Sequence, residues 1–252
     1  MINSASINQF SDSLSDIDKE YFKRRWATDI DIYMTRLKAI NFVGKEKVLD
    51  AGFGVGQWLY CLASLNKNAY GIEYSKERHA VTKALMNHLK ISNTNLIHGS
   101  IEKMPYEDGF FDAVFSYSVI YQTDFKKSLR EIHRILKKGG ELYFNTNDLG
   151  WYIYNLLEAG DGYHNFSSKQ YALDSIESSL LYYSQNNYQP GSSIIMQEKY
   201  VTSYLNEIGF EIKSIGPDGS INPANVDKIT SFYKKDYYGL TNVYEVLCVK
   251  KG

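Results

Sequence analysis

The feature that most constrains this chain is a run of three alternate glycines, Asp50-Ala51-Gly52-Phe53-Gly54-Val55-Gly56, set between a short apolar strand and a helical stripe. The strand is Lys47-Val48-Leu49-Asp50. The stripe is Trp58, Leu59, Leu62 and Leu65 at helical spacing. Glycines at such a junction let the backbone turn sharply and let a ligand approach without Cβ interference. In an open α/β sheet the end of the first strand is where ligands bind. Glu73 follows Gly52 by 21 residues, at the end of a second apolar run, Ala69–Tyr74. That spacing suits a carboxylate reaching two ribose hydroxyls.

The turn is not a dinucleotide fingerprint. GxGxxG counted from Gly52 needs a glycine where Gln57 stands; counted from Gly54 it needs one where Leu59 stands. A pyrophosphate also wants a helix N-terminus free of competing negative charge, whereas Asp50 at the same turn suits a cationic group.

The rest of the chain alternates helix and strand. Residues 12–41 predict one long helix carrying Tyr21, Phe22, Trp26, Ile30, Tyr33 and Leu37. Ser75 caps a helix with Val81, Leu85 and Leu89 on one face. Asn95–His98 and Asp112–Tyr117 read as strands. Phe125, Leu129, Ile132 and Leu136 form the clearest amphipathic helix, stopped by Gly139-Gly140, and Glu141–Asn145 is a fifth strand. Tyr200–Ile208 reads as a helix, Phe210–Ile215 and Val243–Lys250 as two last strands. This order predicts an α/β fold with a mostly parallel sheet covered on both faces. Residues 148–196 and 217–241 are too long for ordinary connections, and such segments commonly serve as lids or binding loops. The expected organisation is a single domain, with residues 1–43 as an N-terminal helical cap, 44–147 and 197–252 as the core, and 148–196 as a substrate lid.

Composition narrows the function. Lys and Arg number 28 against 29 Asp and Glu, so no basic field exists to hold nucleic acid or an anionic membrane. Two cysteines, Cys61 and Cys248, give neither a disulfide framework nor a metal quartet. With no secretory signal and no apolar run near 18 residues, a cytoplasmic setting is expected, with no membrane partner and no metal.

Residues 48–145 resemble the core of the class I S-adenosylmethionine-dependent methyltransferases. Val48–Trp58 is similar to the first motif and Gly71–Tyr74 to the one after it. His98-Gly99-Ser100-Ile101-Glu102-Lys103-Met104-Pro105-Tyr106, Phe111–Ser116 and Leu136-Lys137-Lys138-Gly139-Gly140 are similar to later ones. The resemblance implies a Rossmann-like, doubly wound, seven-stranded sheet whose last strand is antiparallel, with a helical cap and lid insertion. It implies that S-adenosylmethionine lies against Gly52, Phe53, Gly54 and Gly56, with Asp50 acting on the amino-acid ammonium and Glu73 on the ribose. Tyr74 would lie on the adenine, Ser100 would replace the usual aspartate at the adenine amino group, Ile101 would offer its N–H, and Ser116 backbone at the methionine end. The acceptor is expected to be a small polar molecule, an oxygen of a sugar or surface-polysaccharide precursor, with or without phosphate near Lys126, Lys127 and Arg130. His164, in the turn-rich stretch Asp161–Phe166, is the candidate base, and Tyr121, with Asp124 nearby, stands on the acceptor side. Other readings remain open. The turn after the fourth strand, Ser116-Tyr117-Ser118-Val119, lacks the N/D-P-P-Y form expected of base-amino methylation, and a module that holds the cofactor without turnover is the non-enzymatic alternative.

Overall fold

A computed structural model describes residues 9–159 and 167–252. Helices α1 (Asp16–Ala27) and α2 (Ile30–Ala39) precede β1 (Lys47–Ala51), α3 (Gln57–Leu65), β2 (Asn68–Glu73), α4 (Lys76–His88), β3 (Thr94–His98) and β4 (Phe111–Tyr117). A 3-10 turn at Ile120–Gln122 leads to α5 (Phe125–Ile135) and β5 (Leu136–Asn147). The insertion holds α6 (Leu149–Leu157) and α7 (Ser168–Gln185). Then come α8 (Glu198–Glu207), β6 (Phe210–Pro217), the short pair β7 (Asp236–Tyr237) and β8 (Leu240–Thr241), and β9 (Val243–Lys250).

The seven-stranded sheet has the order β3-β2-β1-β4-β5-β9-β6, and β9 runs antiparallel to both neighbours. This is the doubly wound fold expected from the sequence, with the chain reversing direction between β1 and β4. Side chains alternate across the pleat. Val48, Ala113, Phe115 and Tyr143 face α1–α4, while Leu49, Val114, Leu142 and Phe144 face α5 and α8. A smaller cluster of Tyr152, Ala172 and Ile195 lies in the insertion, so several of its tyrosines are packing residues.

Two expectations need correction. The helix over 12–41 is two helices, because Thr28 is extended and the Asp29 carboxylate accepts from the Asp31 N–H, capping a new start. Helix α5 ends at Ile135 rather than at Gly139-Gly140. The chain turns directly into β5, whose first residue Leu136 pairs with Phe111 before a bulge. His133 of α5 packs edge-on against Phe210 at a centroid distance of 5.0 Å.

Arg36 of α2 is 4% exposed and is the hub of a buried polar cluster. Its guanidinium donates to both Asp218 oxygens (2.8 and 2.9 Å), to Glu245 Oε2 (2.6 Å) and to the hydroxyls of Tyr143 (2.9 Å) and Tyr117 (3.3 Å). The remaining acceptor capacity of the acids is taken up by Tyr117 Oη, Tyr143 Oη, Ser231 Oγ and the N–H groups of Ile221 and Phe232. Buried charges survive only when so satisfied. The cluster fastens α2 and the 217–241 segment to the ends of β4, β5 and β9. Removing the cation strands two buried carboxylates, so Arg36→Ala should cost about 3–5 kcal/mol, read as a lowered urea midpoint.

Candidate functional site

The strand-to-helix turn places its glycines in the left-handed region, at φ +87° for Gly52, +57° for Gly54 and +85° for Gly56. The three do different work. A Cβ on Gly52 would lie 2.5 Å from Val119, and one on Gly56 would lie 2.5 Å from Thr82. Both are required by packing as well as by dihedral angle. At Gly54 a Cβ would meet only ordinary contact, with the Tyr21 hydroxyl at 3.7 Å, so the opening there is bounded by the Tyr21 ring. That opening is where a ligand can lie against backbone. The Phe53 side chain points into the core, against the surface of Gly71, so Phe53 offers the site only its main chain.

Asp50 is 1% exposed, and its Oδ2 is buried without a hydrogen-bond partner. Burial, and next the charge of Glu73, push its pKa well above the ordinary carboxylate value. An unpaired acceptor at the end of β1 fits the ammonium of the expected cofactor. Glu73, 7% exposed, accepts from the N–H groups of Gly54 and Ser75, both at 2.8 Å. It is held by the same turn that it would serve. Ser116 donates its hydroxyl to the Ala51 carbonyl (2.9 Å), tying β4 to β1 beside the turn.

The adenine end is more open. Tyr74 is 79% exposed and unsupported by packing, while its carbonyl sits 2.9 Å from His98 Nε2. The Ser100 hydroxyl accepts from the Glu102 N–H (3.1 Å), so it is shared with a local turn, and Ile101 is buried in the core.

Helix α1 covers the glycine turn. Its Trp26 Nε1 donates to the Val55 carbonyl (2.8 Å), Asp18 pairs with Arg78 of α4 (2.5 Å), and Tyr21 lies between. Of this cover, Tyr21 and Trp26 lie on the helical stripe read from the sequence, whereas Asp18, Arg78 and Arg36 were not singled out. The available signal was an arginine on a buried helical stripe: Arg25 beside Tyr21, Phe22 and Trp26, and Arg36 beside Tyr33 and Leu37.

On the other side of Val119, a cavity of about 270 Å³ is lined by Tyr121, Gln122, Trp151, Asn155, Tyr171 and Ser193. The structure thus brings Tyr121 together with the insertion. Burial, with smaller effects from Tyr171 and Tyr233, raises the Tyr121 pKa well above its ordinary value. The hydroxyl therefore stays protonated and can donate, which is the opposite of a base. Asp124 is taken by structure: it caps α5 and accepts from Tyr182 Oη (2.7 Å). Lys127 pairs with Asp124, Lys126 sits over Tyr182 and Arg130 over Tyr204, so the three cations line α5 rather than the cavity. His164 lies outside the described residues. No group of acids, histidines or cysteines able to hold a metal ion occurs among the described residues, and no helix there is long and apolar enough to cross a membrane.

Comparison with known proteins agrees with this geometry. Residues 49–144 match the family model described as a methyltransferase domain. The chain is 32% identical over 101 residues to the demethylmenaquinone methyltransferase of Bacillus mycoides (strain KBAB4), covering 38% of this chain and 43% of the relative. It is 37% identical over 110 residues to the arsenite methyltransferase of Aquipseudomonas alcaligenes, covering 39% and 32%. The chain thus spans less than half the length of these two relatives. Among solved structures, a geranyl diphosphate methyltransferase in complex with S-adenosylmethionine superposes with a TM-score of 0.62 at 12% identity, over 98% of this chain and 91% of the other.

Replacing Asp50 with Asn separates binding from stability. The acid is held with a raised pKa, so folding favours its protonated form, and the ionised form costs stability as pH rises above the ordinary carboxylate range. Asp50→Asn should therefore raise the melting temperature of the ligand-free protein at neutral pH. The gain should shrink towards pH 4. The same variant should bind S-adenosylhomocysteine about tenfold more weakly by calorimetry.

Proposed function

We propose that this chain, whose residues 49–144 form a class I S-adenosylmethionine-dependent methyltransferase domain, transfers a methyl group to a small, neutral, polar acceptor seated beneath the insertion. The observation that carries the reading is the contact between the two halves of the site. The side chain of Val119 packs close over Gly52 of the cofactor turn, and Tyr121 and Gln122, two and three residues further on, line the 270 Å³ cavity. The donor turn and the cavity are thus joined by one short stretch of chain.

S-adenosylmethionine, when bound, supplies a methyl already activated on a sulfonium. The chain's own contribution is alignment and exclusion of water, which can account for about 7–11 kcal/mol of barrier in favourable geometries. Asp50 would take the ammonium, Glu73 the ribose hydroxyls, Gly52, Gly54 and Gly56 the amino-acid and sugar contour, and Ser116 the methionine end. Tyr74, Ser100 and Ile101 would border the adenine.

The cavity argues for the acceptor class. Its walls combine aromatic faces, Tyr121, Trp151 and Tyr171, with the neutral polar groups of Gln122, Asn155 and Ser193. Such a lining suits one ring bearing hydroxyls, stacked and hydrogen-bonded. A sugar oxygen is the reading we favour. Among the described residues no charged side chain lines the cavity, which favours an unphosphorylated ring. The aromatic walls also favour a second reading, a hydroxylated aromatic ring. An arsenite-like acceptor would want soft thiolates. The two cysteines are both buried, in different core clusters, with pKa values raised by burial.

Tyr121 would donate to the acceptor oxygen, and His164 would remove its proton. Methyl-labelled S-adenosylmethionine offered with sugar nucleotides in one set and hydroxylated aromatics in another should label the sugar set. Label in neither, with cofactor bound, would favour a binding module. With the acceptor in hand, Tyr121→Phe should lower kcat/KM by about tenfold at unchanged cofactor affinity, the loss of one hydrogen bond. His164→Ala should slow turnover and leave cofactor affinity alone.

A further inference from the structure

Three arginines stand around the crevice, and two are paired. Arg36 is bound to Asp218 and Glu245, and Arg78 to Asp18. Arg25 of α1 is not. Its Nε is buried without a partner, and no carboxylate among the described residues lies within ion-pair reach of it. Its guanidinium carbon is 5.1 Å from the ring centroid of Tyr21. Burial works against its charge, while Tyr21, Tyr233 and Tyr33 favour it, and the balance raises the pKa. A cation sunk among tyrosine hydroxyls has dipoles around it but no counter-charge, and buried charges in folded proteins are as a rule paired.

Its place says what the missing charge is. Tyr21 spans from Arg25 to the opening above Gly54, and Tyr233 spans from Arg25 to Trp151 at an edge-on centroid distance of 5.7 Å. Arg25 thus lies one helical turn along α1 from Tyr21, which reaches Gly54, and is linked through Tyr233 to Trp151 on the cavity wall. The described residues that line the cavity are neutral. Asp50, at the end of β1, is the mirror image: a buried acceptor without a cation. One unpaired anion site and one unpaired cation site flanking the same turn fit the two ends of an α-amino acid.

We propose that Arg25 binds a carboxylate, that of the cofactor's methionine end, so that Asp50 and Arg25 together clamp the zwitterion. The inference rests on the reading of the crevice as a S-adenosylmethionine site. It adds a specific residue, on an element outside the matched domain, to that site. The geometry of a guanidinium, a planar fork of donors, suits a carboxylate bidentately.

Calorimetry on the full chain tests it with two ligands that share adenine, ribose and thioether. S-adenosylhomocysteine carries the amino-acid end, and 5′-methylthioadenosine does not. Arg25→Gln should weaken S-adenosylhomocysteine at least tenfold and leave 5′-methylthioadenosine within about twofold, with Arg25→Lys recovering part of the loss. Unaltered binding of 5′-methylthioadenosine doubles as proof that the variant is folded. Equal affinity of wild type and Arg25→Gln for S-adenosylhomocysteine would overturn the proposal and leave the cofactor site standing, with an acidic acceptor as the charge Arg25 serves. Equal losses for both ligands would also overturn it, making Arg25 a support of the crevice. Failure of the wild type to bind either ligand would remove the cofactor reading itself.

Discussion

The buried Arg36 cluster is the constraint that the rest of the site depends on. It draws its members from α2, β4, β5, β9 and the segment after β6, which are up to 209 residues apart in sequence. All of them meet at the end of the sheet where the cofactor turn lies. With two carboxylates and one guanidinium, the group is net negative and would be intolerable were its oxygens not capped by tyrosine hydroxyls and main-chain N–H groups. Through it the 217–241 segment becomes a fixed roof rather than a loose connection. Phe232 and Tyr233 then stand where they touch Trp58, Tyr117 and Trp151.

Against that frame the cofactor side is built from incomplete parts. Asp50 lacks a donor and Arg25 lacks an acid, and at Gly54 only the Tyr21 ring lies over the backbone. Asp50 and Arg25 hold two of eight buried polar side-chain atoms without a partner among the described residues, and they are the carboxylate and the guanidinium of that set. Such gaps are tolerated where a ligand completes them, and stability is given up for function at those points. The cavity beneath the insertion differs in kind. The described residues that line it are aromatic or neutral and polar, a lining suited to recognition by shape and hydrogen bonding.

The order of strands and helices was legible because a doubly wound sheet writes itself as short apolar runs alternating with helical stripes, and the glycine turn carries its own dihedral demands. Asp50 and Glu73 were legible for the same reason: their distances along the chain are fixed by one βαβ unit. What the sequence hid are relations across long separations. The break at Thr28 turns on one capping carboxylate within a continuous apolar stripe. The partners of Arg36 lie in elements that no local pattern connects. Tyr121, expected on the acceptor side, lines the cavity beside the insertion, but its chemical character depends on burial contributed by the insertion and the roof, which no spacing reveals. Lys126, Lys127 and Arg130 read as a basic face and turned out to be spent on neighbours within their own layer.

The meeting of Gly52 and Val119 has a consequence for how this site can change. With 2.5 Å between a Cβ at one and the methyls of the other, neither can grow without displacing the 3-10 turn that carries Tyr121. Any lineage or engineer seeking a new acceptor must leave that hinge-post alone and work on the far wall, at Trp151, Asn155 and Tyr171. Those residues sit on the insertion's own helices and can be exchanged while the donor half keeps its shape.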